Sequence, residues 1–289
     1  MAAKASLAAG ALEEQVGHPQ ELLDALVARV QDSAIRQFTE IQNDWVRLMW
    51  SLDAFRTAGL TPAGMGKGGE GGFEGVYRGK GNWFALLLAL LINNQSGQLV
   101  GSRTRIQGFS QLHQIDLAWP SREVDPLVCA ETKVTGAPSF GKTPARGAMS
   151  DWSNRRKELK FAATDLKLAR RQQETVIQHW DVWRQDAPPK CFFLWAARLD
   201  PSKNDSIDRM AGGVQTVVNT YLDGAGVFAW RENEDGTGYE PVAVPARSRV
   251  SDLDDVLYRI TSEIQKAAGA DGLAPPPIGS TASTASIEP

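Results

Sequence analysis

Two segments of this chain, Gln111–Trp119 (QLHQIDLAW) and Leu127–Val134 (LVCAETKV), read as strands, with only about seven residues between them. So short a connection forces antiparallel pairing, because a parallel return needs a crossover of about a dozen residues or more. The stretch Pro120–Pro126 carries Pro, Ser and Asp, a turn composition. Both strands hold charge in apolar company. Side chains alternate along a strand, so Glu131 and Lys133 share one face while Thr132 and Val134 take the other. An ionised Glu and Lys in a run otherwise reading LVCA are costly unless a site uses them. Asp116 stands between Ile115 and Leu117, and fourteen residues separate it from Glu131. A hairpin of that length brings both carboxylates to one end of the sheet.

Two carboxylates and a lysine so placed suit phosphodiester hydrolysis. Mg²⁺ takes hard oxygen ligands and keeps several waters. Asp116 and Glu131 would hold it, with the backbone carbonyl of Thr132, and Mn²⁺ is expected to substitute. The ion would acidify water and neutralise charge building on the phosphate. Lys133 would orient or deprotonate the attacking water and stabilise the transition state. A bare Glu-x-Lys arises by chance about once in a chain of this length. The second copy here, Glu158-Leu159-Lys160, falls in a helical segment, where residues two apart point in different directions. Strand placement, apolar flanks and Asp116 one strand earlier set the first copy apart.

The stretch QIDLAWPSREVDPLVCAETKV resembles the core hairpin of the PD-(D/E)XK superfamily, type II restriction endonucleases in particular. In that family an acid on one strand is followed, after a turn, by (D/E)-x-K on the next. The resemblance gives Asp116 the role of the first acid, Glu131 the second, and Lys133 the lysine. Ile115 stands where the family name places a proline. A further acid from a preceding region often completes such sites, and Glu74, or Glu70, is the candidate. The resemblance spans about residues 80–200. It implies a restriction-endonuclease-like α/β fold, a central mixed β-sheet flanked by helices, acting on double-stranded DNA in restriction-modification or a related defence. It also implies a homodimer, since cutting two strands symmetrically needs two sites.

The formal net charge of −3 announces no nucleic-acid partner, but its distribution is uneven. Lys142 to Arg171 holds nine Lys or Arg against three acids, whereas Asp200 onward holds fourteen acids against seven bases. In the helix expected over about 151–183, Leu159, Ala162, Leu166 and Ala169 line one face. Lys160, Lys167 and Arg171 line another, with Arg155 and Arg156 near the start. Lys142, Arg155, Arg156, Lys160 and Lys167 are the expected contacts to a DNA backbone. Base readout would fall to loops such as Thr135–Ser150 or the segment around Asn204 and Arg209.

A rival motif overlaps this region. Gly136-Ala137-Pro138-Ser139-Phe140-Gly141-Lys142-Thr143 matches G-x-x-x-x-G-K-[ST], the phosphate loop of P-loop NTPases. There the Lys and Thr begin a helix, but Pro144 pushes Thr143 out of helical geometry. The strand before it carries Glu131 and Lys133, where a buried parallel strand is nearly all apolar. A third reading is a non-catalytic DNA-binding protein that shares the fold.

The rest of the chain divides into a helical N-terminal region (1–62), a glycine-rich loop (63–81), the nuclease-like domain (82–268) and a disordered tail (269–289). Residues 1–18 read as loosely ordered, and a long helix is expected from Glu21 to Phe55. Phe38, Ile41, Trp45, Leu48, Leu52 and Phe55 recur there at steps of three and four, the stripe of a core face or a dimer seam. Nine of the eighteen residues Gly64–Gly81 are glycine, which makes regular structure costly. A buried helix follows at about Trp83–Ile92. That run is about half the length needed to span a bilayer, and the N-terminus makes a poor signal peptide. A soluble cytoplasmic protein is expected. Cys129 and Cys191 read as buried, reduced thiols, too few and too distant for a zinc site with His18, His113 or His179.

Overall fold

The computed structural model describes residues 2–32, 35–65, 70–123, 126–140, 142–176, 188–218, 220–244 and 251–270. The tail expected to be disordered lies, beyond Ala270, outside them. Six strands form one mixed sheet in chain order: β1 (Gly101–Gln107), β2 (Leu112–Trp119), β3 (Val128–Thr135), β4 (Lys190–Arg198), β5 (Gly224–Glu232) and β6 (Tyr239–Val242). The expected β2–β3 hairpin is antiparallel, as are β1–β2 and β5–β6. β3–β4 and β4–β5 are parallel. β3 therefore marks the seam between the antiparallel β1–β3 ribbon and the parallel β3–β5 centre of the sheet.

Helices cover both faces. Alternation along β4 sends Phe192, Leu194 and Ala196 to one core and Cys191, Phe193, Trp195 and Ala197 to the other. The first core is closed by the N-terminal helices, by α5 (Lys80–Ser96) and by α8 (Leu253–Ala270). The second is closed by α6 (Trp152–Val176) and α7 (Ile207–Gln215). The fold class read from the sequence stands. Among the described residues no helix is long and apolar enough to cross a membrane.

The N-terminal half differs from expectation in three places. Residues 2–16 form a helix, α1 (Ala2–Val16), which buries Ala9 and Val16. The long helix expected from Glu21 to Phe55 is broken into α2 (Pro19–Asp32), a 3-10 turn at Phe38–Glu40, and α3 (Gln42–Ala58). Carboxylates cause the break. Glu40 accepts the Arg36 and Gln37 amides, while Asp254 of α8 accepts the amides of Phe38 and Thr39 and the Thr39 hydroxyl. These bonds satisfy amides that a continuous helix would have paired internally. The six-residue apolar stripe is wholly buried, so it is a core face.

The glycine-rich stretch also departs from expectation. It contains α4 (Glu70–Arg78) and the start of α5. Propensity is overridden by anchoring: Tyr77 donates to Asp53 Oδ1 at 2.6 Å, and Lys80 Nζ donates to the Gly136 carbonyl at 2.9 Å. Residues 66–69 lie outside the described set.

Candidate active site

The β2–β3 ladder runs through Trp119↔Val128, Ala118↔Cys129 and Leu117↔Ala130, and then stops. The Asp116 carboxylate takes over at that point. Its Oδ2 accepts the Thr132 amide at 2.8 Å and the Thr132 hydroxyl at 3.0 Å. The β1–β2 ladder skips the same residue, pairing Ser102↔Leu117 and Thr104↔Ile115 while Arg103 between them has φ +53°. The strand changes phase here: Ile115 joins the core under α6, and Leu117 joins the opposite one. A left-handed arginine is strained backbone, and such strain collects at sites where chain direction matters more than comfort.

Asp116 and Glu131 are brought into contact, and Lys133 follows Glu131 two residues on along β3, within the electrostatic reach of Asp116. Glu131 hydrogen-bonds Asp116, and burial together with the Asp116 charge pushes its carboxyl up to about 8. Two carboxylates this close cannot both ionise cheaply. At neutral pH the Glu131 carboxyl therefore keeps its proton. Burial, with Arg155 nearby, lowers the Lys133 ammonium, while Glu158, Asp116 and Asp151 oppose that shift.

Helix α6 roofs the pair. Its first residue, Trp152, stacks flat on Trp195 at 4.9 Å between ring centroids. Trp195 is the cross-strand neighbour of Lys133 and donates to Thr135 Oγ1 at 2.8 Å. Further along the same stripe, Leu159, Ala162 and Leu166 line a narrow crevice with Glu131, Ile115 and Cys129. Cys129 and Cys191 face each other across β3 and β4 as buried free thiols, and burial raises both.

Of the expected backbone contacts, Lys142, Arg156 and Lys160 are exposed, although Lys160 leans over the Tyr221 ring. Lys167 is a correction. It donates to Asp223 Oδ2 at 2.7 Å and to the Tyr221 carbonyl at 2.9 Å, so it ties α6 to the end of α7's loop rather than facing outward. Glu74 is not brought to the acids either. It pairs at 3.1 Å with Arg56 in a polar cluster on the other face of the sheet, and the Glu70 side chain is outside the described set.

That cluster was not legible in the sequence. Asp53 accepts from Tyr77 and from Tyr239, each at 2.6 Å, and Arg198 donates to Tyr239 at 2.8 Å. Burial lowers the Lys80 ammonium to about 8. Gly136, whose carbonyl Lys80 holds, has φ +79°, and an added Cβ would lie 2.4 Å from the Arg198 carbonyl. The cluster thus grips β3 at its exit, behind the acids.

The phosphate-loop motif does not have the backbone of one. Phe140 and Thr143 exchange both amide hydrogen bonds in a tight hairpin, and Ala137 pairs with Arg146. No helix begins at Lys142 or Thr143, and α6 starts only at Trp152. Gly141 lies outside the described residues.

The chain matches no known family, no curated protein and no solved structure. Among the described residues no three His, Cys, Asp or Glu side chains gather as a metal cage. Two adjacent carboxylates sharing a proton nonetheless fit Mg²⁺, because a divalent ion replaces that proton and takes its other ligands from water, backbone and substrate. The hydroxyl of Thr132, which orients Asp116, was missed. Glu158, in the helical Glu-x-Lys copy, pairs with Arg155 at 2.6 Å.

Proposed function

We propose that this protein is a Mg²⁺-dependent endonuclease of the PD-(D/E)XK type, hydrolysing phosphodiester bonds of double-stranded DNA in a restriction-like role, as a homodimer. The observation that carries the reading is the Asp116–Glu131 pair, two hydrogen-bonded carboxyls beside a half-buried lysine where two strands part. Such a pair is costly to build into a fold, since burying two carboxyls side by side forces one of them to stay protonated well above the usual carboxylate range.

Asp116 is held by Thr132 so that its second oxygen, Oδ1, is free of that bond pair. Glu131 and the Thr132 carbonyl would add further oxygens for the ion, with water and substrate supplying the rest. Mg²⁺ there would supply charge neutralisation and an acidified water. Lys133, with its proton affinity reduced by burial, is suited to orient the attacking water and to exchange a proton with it. Exposed Lys142, Arg156 and Lys160 offer cations to the sugar-phosphate backbone.

The test is a plasmid incubation with Mg²⁺ or Mn²⁺ against an EDTA control, followed by end sequencing of fragments. Cleavage is expected only with the metal, and Glu131→Ala and Lys133→Ala should each lose about 100-fold or more in rate. Wild-type cleavage by either variant would remove the site from the reaction.

A further inference from the structure

We infer that Arg155 is a catalytic cation of this site, binding the reacting phosphate itself, and that Glu158 holds it in check until DNA arrives. This rests on the reading of Asp116 and Glu131 as a phosphodiester-cleaving pair, and adds to it a second cation and a competitor for that cation.

The placement follows from the helix. Trp152 stacks on Trp195, and Trp195 neighbours Lys133 in the parallel ladder, so the first turn of α6 lies over Lys133. Arg155 comes three residues later and Leu159 seven, the stripe that faces the sheet in a helix of 3.6 residues per turn. Leu159 lines the crevice that Glu131 enters. Arg155 therefore sits between the turn above Lys133 and the turn above Glu131, on the side facing both. Its side chain is 28% exposed, against 59% for Glu158. The influence of Arg155 on both Glu131 and Lys133 agrees with that position.

The partner explains why a guanidinium is there. Arg155 Nη1 lies 2.6 Å from Glu158 Oε2, an (i, i+3) pair. A phosphodiester offers the planar fork the same bidentate pair of oxygens as a carboxylate, and it gains a further negative charge in the transition state that the guanidinium can meet. The pair is solvated on the Glu158 side, so exchanging one anion for the other exposes no buried charge. Glu158 thus occupies the fork of Arg155 in the free protein and gives way to the phosphate. Lys133 supplies a point charge and a proton, and Arg155 supplies the bidentate grip.

The experiment compares the wild type with Arg155→Gln, Arg155→Lys, Glu158→Gln and Lys133→Ala. Plasmid cleavage is followed at saturating enzyme, and affinity is followed by anisotropy on a 30-base-pair mixed-sequence duplex with Ca²⁺ in place of Mg²⁺. Arg155→Gln should cut about 100-fold slower while its duplex affinity changes by less than about fivefold. Arg155→Lys should recover part of the rate. Glu158→Gln, by releasing the arginine, should bind the duplex about threefold tighter or more. Arg155→Gln cutting within threefold of wild type while Lys133→Ala is inactive would overturn the inference and leave the proposed function standing. A wild type that cuts nothing would instead sink the proposed function. In that case the affinity of Glu158→Gln decides, and an unchanged or weaker value overturns the role of the pair.

Discussion

At the scale of single residues, Glu131 is the group whose behaviour follows most directly from its surroundings. Its carboxyl titrates near 8 when folded, against 4.5 as the ordinary value. The folded chain therefore holds a proton that the unfolded chain has already lost, and stability from this group falls as pH rises between about 4.5 and 8. Above pH 8 the full penalty is present. Glu131→Gln should then melt several degrees higher than the wild type in calorimetry at pH 9 without metal, and little differently at pH 4.5. The same proton competes with the ion. Mg²⁺ affinity, read by isothermal calorimetry, should weaken by up to about tenfold per pH unit below 8, with proton release visible as a dependence of the heat on buffer. Affinity that is flat from pH 6 to 8 would mean that Glu131 is not a ligand.

Among the elements, α6 is pinned at its start and its middle. Trp152 fixes its start, and at its middle Asp165 accepts His113 Nε2 at 2.8 Å and the Ser110 amide at 2.9 Å. This clasp ties the β1–β2 turn to the helix. An added Cβ at Gly108 would lie 2.1 Å from Asp165 Oδ2. Gly108→Ala should therefore displace the aspartate and cost about 2–3 kcal/mol in urea unfolding, close to the loss from Asp165→Ala. Most elements could be read from the chain, because period 2 in β3 and β4 and period 3.6 in α6 and α8 agree with the side on which each is buried. The N-terminal breaks could not. They depend on Asp254 reaching Phe38 and Thr39 from 215 or more residues away, and on Lys80 reaching Gly136. Local pattern carries no trace of such partners. The acids of the hairpin were readable because their partners lie on the adjacent strand.

Across the whole molecule, residues 1–62 cannot be separated from the sheet. Leu23, Trp45, Leu48 and Phe55 share one core with Leu194, Trp230 and Ile260. Deletion of residues 1–62 should leave an insoluble or unfolded chain by circular dichroism, since burial of several large side chains at about 1.5–3 kcal/mol each exceeds typical domain stability. A folded, cooperative fragment would contradict the single core. For the proposed double-strand cut, sedimentation with a duplex should find two copies per DNA, and a persistent single copy would restrict the enzyme to nicking.

The grip on the exit of β3 from behind the acids has a practical corollary. Lys80, Asp53, Tyr239 and Arg198 never approach the carboxylates, yet they determine where the strand bearing Glu131 and Lys133 ends. Random mutagenesis scored by survival of a transformed host should return inactive clones at these four positions as well as at the acids. Those clones would be rescued by cooling, whereas losses at Asp116 or Glu131 would not.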